Sequence, residues 1–152
     1  MSSFKIFDVA GSGLAAESVR LNTVASNLAN ADSVSGDPTT VYRARHPVFE
    51  AVRAAVAGGL GSAAAGFAGS GADAASGAAV RVAGIVENTA PPVVRHDPGN
   101  PLADEQGNVY APNVNVIEEM TDMISASRAY QNDVEVMNTS KDLMLATLKL
   151  GE

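Results

Sequence analysis

Two hydrophobic repeats of seven residues, one near each end of the chain, most strongly limit the folds open to this sequence. Apolar residues at this spacing form a stripe along an α-helix, and the stripe has to be buried against another helix. The simplest fold pairs the two terminal segments, because neither helix is comfortable alone in water. The sequence therefore predicts a coiled-coil stalk made of an N-terminal and a C-terminal helix.

The N-terminal repeat predicts a helix over residues 3–31. Glycines in its first turns cost about 1 kcal/mol each relative to alanine, so this end needs a packing partner to be held. The stalk residues predicted in this helix are Phe7, Leu14, Leu21, Val24 and Leu28.

The remaining faces of this helix are polar, yet they carry no charge between Leu21 and Ala31. Asn22, Asn27 and Asn30 occupy positions where Glu, Lys or Arg would be better helix formers, since Asn costs roughly 0.6 kcal/mol relative to Ala. Asn can hydrogen-bond a packed neighbour without the penalty of burying a charge. We therefore predict that the three asparagines set the register of contacts with partners packed against this helix. Asn30 is equally suited to ending the helix, and both interpretations stay open.

The C-terminal repeat predicts a second helix over residues 115–150, roughly 54 Å long, which is typical of a rod-like element. Asn115 and Glu118 resemble a capping box at its start. Ile117, Met120, Ile124 and Val134 are predicted to widen its apolar stripe. The stalk and interface residues predicted in this helix are Met123, Arg128, Tyr130, Val134, Met137 and Met144.

Between the helices the pattern changes to short apolar runs separated by Pro and Gly, which predict strands at 42–49, 80–86, 93–96 and 108–111. Residues 51–79 are dominated by Ala and Gly, so we expect a flexible loop there. The predicted fold is α+β and mainly α. Its parts are an N-terminal stalk helix (1–33), a small β-rich insert (34–113) and a C-terminal stalk helix (114–152).

Composition excludes several classes of function. The net charge is −7 and the sequence pI is about 4.7, so nucleic-acid binding, which depends on neutralising phosphates, is not expected. The chain has no Cys, which removes disulfides, thiolate nucleophiles and Cys-based metal sites. The first ten residues lack a continuous apolar core, and no segment suits a membrane-spanning helix. We therefore expect neither a cleaved signal peptide nor membrane insertion.

Other residue patterns that could suggest a phosphate-binding or metal-binding site have simpler structural explanations. Gly11–Gly13 follows no strand and lacks the Lys of a phosphate loop. His46 and His96 are isolated, and lone histidines in strands are more often structural than ligands. Residues 97–108 do not fit the ligand spacing of an EF-hand and read as turns. We thus predict no catalytic residue, no metal and no cofactor, and favour a structural subunit. The alternative is a ligand-binding module or enzyme on the β-rich insert.

Long blocks of the chain resemble the rod and hook family of flagellar axial proteins, and among them the proximal-rod type most. Together the blocks cover about two thirds of the chain, whereas residues 51–79 depart from the family pattern. They are FKIFDVAGSGLAAESVRLNTVASNLANADSVSG, YRARHPVFE, DPGNPLADEQGNVYAPNVNVIEEM and SASRAYQNDVEVMNTSKDLMLATLKLG.

The resemblance implies a structural subunit of the proximal rod, the part of the bacterial flagellar basal body that crosses the periplasm as drive shaft and export channel. It implies export as an unfolded chain through the flagellar type III apparatus. The partners implied are copies of the chain, other rod proteins, the export apparatus, the membrane-ring base and the bushing around the rod. Another rod or hook subunit is the alternative within the family.

Overall fold

The computed structural model describes residues 3–52 and 78–149. In chain order the elements are helix α1 (Ser3–Asn30), strands β1 (Arg45–Val52), β2 (Ala79–Glu87), β3 (Val93–His96) and β4 (Asn108–Ala111), and helix α2 (Val116–Lys149). Strands β1 and β2 form one antiparallel sheet, and β3 and β4 form another. Helices at both ends with small antiparallel sheets between them confirm the predicted α+β fold.

Local polar residues fix the inner ends of both helices. The Ile117 backbone N–H donates to Asn115 Oδ1 at 3.2 Å, so Asn115 caps the start of α2. At the end of α1, Asn30 Nδ2 donates to the Ser26 carbonyl at 2.8 Å, and the Ser33 backbone N–H donates to the Asn30 carbonyl at 3.1 Å. These bonds lie within the helix terminus, which favours the second interpretation of Asn30, that it ends the helix.

The two helices pack along each other in opposite directions. Asn27, near the end of α1, hydrogen-bonds Glu119, near the start of α2. Farther along the pair, a Cβ atom built on Gly13 would lie 2.6 Å from Asp133 Oδ2, so the helices approach closely there. Pairing of the two termini agrees with the sequence, whereas a coiled-coil geometry of the pair stays a prediction.

The buried face of α1 is offset from the column of predicted stalk residues that repeats every seven positions, which is Phe7, Leu14, Leu21 and Leu28. Small or polar side chains are its most buried residues, and the four members of the column are only half-buried. Small side chains let the two backbones come close, which moves the larger leucines to the edge of the contact. The buried residues are Ala10, Ala16, Thr23, Val24 and Asn27, and the half-buried ones are Phe7, Leu14, Leu21 and Leu28.

Helix α2 also turns a different face inward from the one that its first apolar residues suggested. Glu119 and Ala126 are its buried residues, whereas Ile117, Met120 and Ile124 are 78%, 54% and 56% exposed. Two residues along a helix correspond to a rotation of 200°, so Ile117 and Ile124 lie almost opposite Glu119 and Ala126. The expectation that these three apolar residues widen the buried stripe is therefore wrong.

Strands β1 and β2 form a two-stranded ribbon beside α1. Opposite charges face each other across it, with Arg45 paired to Glu87 at 3.0 Å and Arg81 to Glu50 at 2.8 Å. The Val80 backbone N–H donates to Ser12 Oγ at 3.0 Å, which attaches the ribbon to α1. The predicted flexible loop, residues 51–79, overlaps the end of β1 and the first residue of β2. Residues 53–77 of that prediction lie outside the described residues.

Strands β3 and β4 form a hairpin that docks onto the segment after α1. Ser35 and Tyr110 exchange two backbone hydrogen bonds of 2.9 and 2.8 Å, and Val109 of β4 is fully buried. The turn before β4 uses Gly107 at a φ of 78°, which suits glycine.

A close backbone approach at Gly36 gives a stability prediction. A Cβ atom at this position would lie 2.5 Å from the Leu102 carbonyl oxygen, and that backbone would have to move. We expect Gly36→Ala to lower the free energy of unfolding by about 1–3 kcal/mol, as overpacking does. Gly99→Ala is the matched control, because its Cβ atom would have no atom closer than 3.8 Å. Thermal unfolding followed by circular dichroism compares them, and equal melting temperatures would contradict the prediction.

Candidate functional site

Asn27 is the centre of a polar junction between α1, β1 and α2. Its side chain is 0% exposed, and its two amide hydrogens and its carbonyl oxygen all have partners. Nδ2 donates to the Arg45 carbonyl at 2.8 Å and to Glu119 Oε1 at 2.9 Å. Oδ1 accepts the Arg45 backbone N–H and the Tyr42 hydroxyl, both at 2.9 Å. We call these four residues, Asn27, Tyr42, Arg45 and Glu119, the Asn27 junction.

The Asn27 junction fixes the relative position of three elements. An asparagine amide can make four such hydrogen bonds, and Asn27 makes all of them. Each is worth roughly 1 kcal/mol net, but a buried partner left without its bond costs more. Asn27 therefore acts within the subunit. All four of its hydrogen bonds form together at only one position of α1 along the axis of α2. Asn22, five residues earlier, is exposed and takes no part in the junction.

Glu119 is the unusual member of the junction, because a carboxylate is taken out of water there. It is 4% exposed, and its Oε2 is buried without a hydrogen-bond partner among the described residues. Burial raises the pKa of Glu119 above its ordinary value, and the hydrogen bond from Asn27 offsets part of that rise. The electrostatic interaction with His46 also lowers the pKa of Glu119, whereas Asp122 and Glu118 raise it.

The raised pKa of Glu119 predicts a dependence of stability on pH. The folded chain holds this proton more tightly than the unfolded chain, so stability falls as the pH rises from about 4.3, the unperturbed pKa of Glu, through the folded pKa. We expect Glu119→Gln to flatten that fall. Urea unfolding at several pH values measures it, with the exposed Glu118→Gln as control. Parallel curves for Glu119→Gln and the wild-type chain would refute the prediction.

Arg20 makes a second link between the helices, one to two turns from the junction. Its Nη2 donates to the Asp122 carbonyl at 3.3 Å and lies 3.6 Å from Asp122 Oδ1, and its Nη1 lies 3.6 Å from Glu17 Oε2. The guanidinium therefore compensates two carboxylates at the edge of the helix contact. This link and the Asn27 junction hold the same end of the helix pair.

The structure separates the predicted stalk and interface residues into three groups. Some are buried between the elements, some are half-buried along the edge of the helix pair, and some are exposed on its outside. Their role in contacts between subunits stays a prediction. The groups are Val24 and Asn27 (buried); Phe7, Leu14, Leu21, Leu28, Asn30, Met123, Met137 and Met144 (half-buried); and Asn22, Arg128, Tyr130 and Val134 (exposed).

Large apolar side chains remain exposed along the outside of the molecule. Ile117, Met120 and Ile124 form one row on α2, which we call the α2 ridge. Three leucines farther along α2 are exposed as well, and so are valines of both sheets and Ile85 of β2. Contiguous apolar surface of this kind marks interaction sites. The leucines are Leu143, Leu145 and Leu148, with exposed fractions of 63%, 46% and 70%.

Sequence reasoning missed the partners of Asn27. The sequence pattern places Tyr42 in a strand and predicts no contact for Glu119. One signal for Glu119 was present, since it lies seven residues before Ala126 and four before Met123, on the seam side of the helix. The Arg45 backbone groups gave no such signal, because any residue type supplies them.

Neither a metal centre nor a membrane span is visible in the part of the chain that the structure describes. Residues 3–52 and 78–149 contain no cluster of three or more Asp, Glu or His side chains arranged to bind a metal ion. None of the helices in the same residues is long and apolar enough to cross a bilayer.

Two family models match the chain at its two ends. The model described as "Flagella basal body rod protein" matches residues 7–36, which contain most of α1 and the segment after it. The model described as "Flagellar basal body rod FlgEFG protein C-terminal" matches residues 105–150, which contain β4 and α2. The matched segments are thus the ones that the Asn27 junction connects.

Full-length relatives carry the same description, which names a rod protein and not an enzyme. The chain is 48% identical to the flagellar basal-body rod protein FlgC of Salmonella typhimurium and 49% identical to that of Yersinia enterocolitica, over 100% of each chain. It is 35% identical to the FlgC protein of Aquifex aeolicus, over 98% of this chain and 97% of the relative. The chain therefore belongs to the FlgC family of flagellar basal-body rod proteins, and it is a structural subunit of the proximal rod in the flagellar basal body.

Proposed function

We propose that the paired terminal helices of this subunit form part of the wall of the proximal rod, which transmits rotation across the periplasm and encloses the export channel. The exposed α2 ridge carries this proposal. A side chain such as Ile117, 78% exposed in the free subunit, is stabilised when another protein surface covers it. Coverage on assembly therefore supplies free energy to the rod.

The proposed partners are copies of the chain and other rod proteins along the shaft. The membrane-ring base below and the bushing around the rod are proposed contacts of the outer parts of the subunit. The subunit reaches the rod through the flagellar type III export apparatus, unfolded and without removal of a signal peptide. It works as a mechanical element and catalyses no reaction. The uncharged segment between Leu21 and Ala31 supports this placement, because a helix surrounded by other subunits has little solvated surface.

Deletion of the gene tests the proposal. We expect the deletion strain to build the inner-membrane base but no rod, hook or filament, and to lose swimming completely. Electron microscopy of isolated basal bodies and a soft-agar motility assay measure this. The wild-type gene on a plasmid should restore both, which is the control. Intact hooks on a clean deletion strain would disprove the structural role.

A further inference from the structure

The α2 ridge points away from α1 at the end of the helix pair that holds the Asn27 junction. Ile117 and Ile124 each lie two residues before a buried residue, Glu119 and Ala126, which rotates them by 200° from the helix contact. Met120 lies between them on the same outward side. The ridge is therefore a row of three large apolar side chains that the subunit itself leaves exposed.

A complementary surface lies on the opposite side of the helix pair. Ala25 and Ala29 lie two residues on either side of the buried Asn27, so they point away from α2. The exposed residues of this α1 outer face are all small or uncharged, and they are Ala15, Ser18, Asn22, Ala25 and Ala29. Small side chains form a shallow groove into which the ridge of another helix can pack closely.

The two surfaces lie at the same height along the helix pair. The hydrogen bond between Asn27 and Glu119 sets the two residues level, and the helices run in opposite directions. The α2 ridge, 117–124, is therefore level with residues 22–29 of the α1 outer face. A second copy placed beside the first, in the same orientation, brings one surface against the other without a shift along the axis.

We propose that the α2 ridge of one subunit packs onto the α1 outer face of a second copy of this chain. The inference rests on the proposed function, since it names the partner of the exposed helix surface in the rod. Both surfaces lack charge, so the contact buries no unpaired ion. The commitment to a second copy follows from the presence of both complementary surfaces, level with each other, on one chain.

The proposed contact is head-to-tail, because it joins two different surfaces of the same chain. Contacts of this type leave one free surface at each end of a row of subunits. They generate a ring if the rotation between subunits closes, and an open helix if it does not. Because the two surfaces lie on opposite sides of the helix pair, subunits can add one after another in a row, and the rotation at each contact sets the curvature of that row.

Cross-linking in assembled basal bodies tests the contact. The natural chain has no Cys, so the only thiols that the subunits carry are those introduced by Ala25→Cys and Met120→Cys. Cells expressing these two variants as their sole copies supply the basal bodies, which are treated with a short thiol-to-thiol cross-linker. We expect a dimer that contains one copy of each variant. The control replaces Met120→Cys by Glu105→Cys, on the exposed turn before β4, and should give no dimer.

The outcomes separate this inference from the proposed function. Basal bodies that contain both variants but give no mixed dimer would overturn the contact and leave the proposed function intact. Absence of the wild-type chain from basal bodies would instead defeat the proposed function.

A second measurement keeps the inference testable if the cysteine variants do not assemble. A photo-cross-linking residue at Thr121, exposed beside the α2 ridge, leaves the three ridge side chains unchanged. Mass spectrometry then identifies the attached peptide. Attachment to residues 15–29 of another copy supports the contact. Attachment to a different protein or to another part of the chain, or no attachment at all, overturns it.

Discussion

Asn27→Asp is expected to unfold or severely destabilise the subunit. The new carboxylate cannot donate to the Arg45 carbonyl or to Glu119 Oε1, which both now face an acceptor. It also places a second acidic group beside the buried Glu119. Breaking a buried charged network in this way costs about 3–5 kcal/mol. A domain of this size would lose roughly 10 °C or more in melting temperature.

Asn22→Asp is the matched control for this prediction. It makes the same chemical change on the same helix, but Asn22 is exposed, and such substitutions usually change stability by less than about 0.5 kcal/mol. Thermal unfolding of the purified monomeric subunits, followed by circular dichroism, compares the two. If Asn27→Asp melted at the same temperature as Asn22→Asp, the Asn27 junction would not hold the helices together.

Ala126→Lys is expected to abolish swimming by preventing the helix pair from forming. Ala126 is 0% exposed on the face of α2 that packs against α1, so a long side chain has no room there. The added ammonium would also lie one turn from Asp122 and compete with the Arg20 guanidinium for that residue. Overpacking together with the disturbance of this link costs several kcal/mol, a large part of the roughly 5–15 kcal/mol that stabilises a domain.

Ser125→Lys, on the exposed neighbouring residue, is the control and should preserve both folding and swimming. Soft-agar motility is measured together with the amount of subunit secreted by the export apparatus. Because the proposed export route transports unfolded chain, we expect Ala126→Lys to be secreted and not incorporated. Normal swimming by Ala126→Lys would show that close packing of α2 on α1 is not required in the rod.

The positions of the secondary-structure elements were largely predictable, because local signals define them. The strands β3 and β4 were predicted with their observed bounds, and Asn115 was identified as the residue that starts α2. Turn residues, capping side chains and apolar periodicity act over a few neighbouring residues, so they are visible in the sequence. Strand β1 was predicted three residues early, since Tyr42 has a high strand propensity but its hydroxyl bonds Asn27 instead.

The candidate site was only partly predictable. The absence of charge from Leu21 to Ala31 correctly drew attention to the asparagines, but the sequence could not separate their roles. Asn27 is saturated with bonds inside the subunit, Asn30 bonds its own helix terminus, and Asn22 is exposed. The difference depends on which side of α1 meets β1 and α2.

The sequence by itself determined that the chain has a long helix at each end, a β-rich middle and the family blocks of a rod subunit. These follow from spacing along the chain, which folding does not alter. Only the tertiary structure decided which face of each helix is buried. Seven-residue spacing allows several neighbouring stripes, and Asn27, Glu119 and the small residues of α1 selected a contact in which Ile117, Met120 and Ile124 point outward. The selection lies in pairwise contacts between segments almost a hundred residues apart, such as the bond from Asn27 to Glu119, and spacing along the chain does not reveal them.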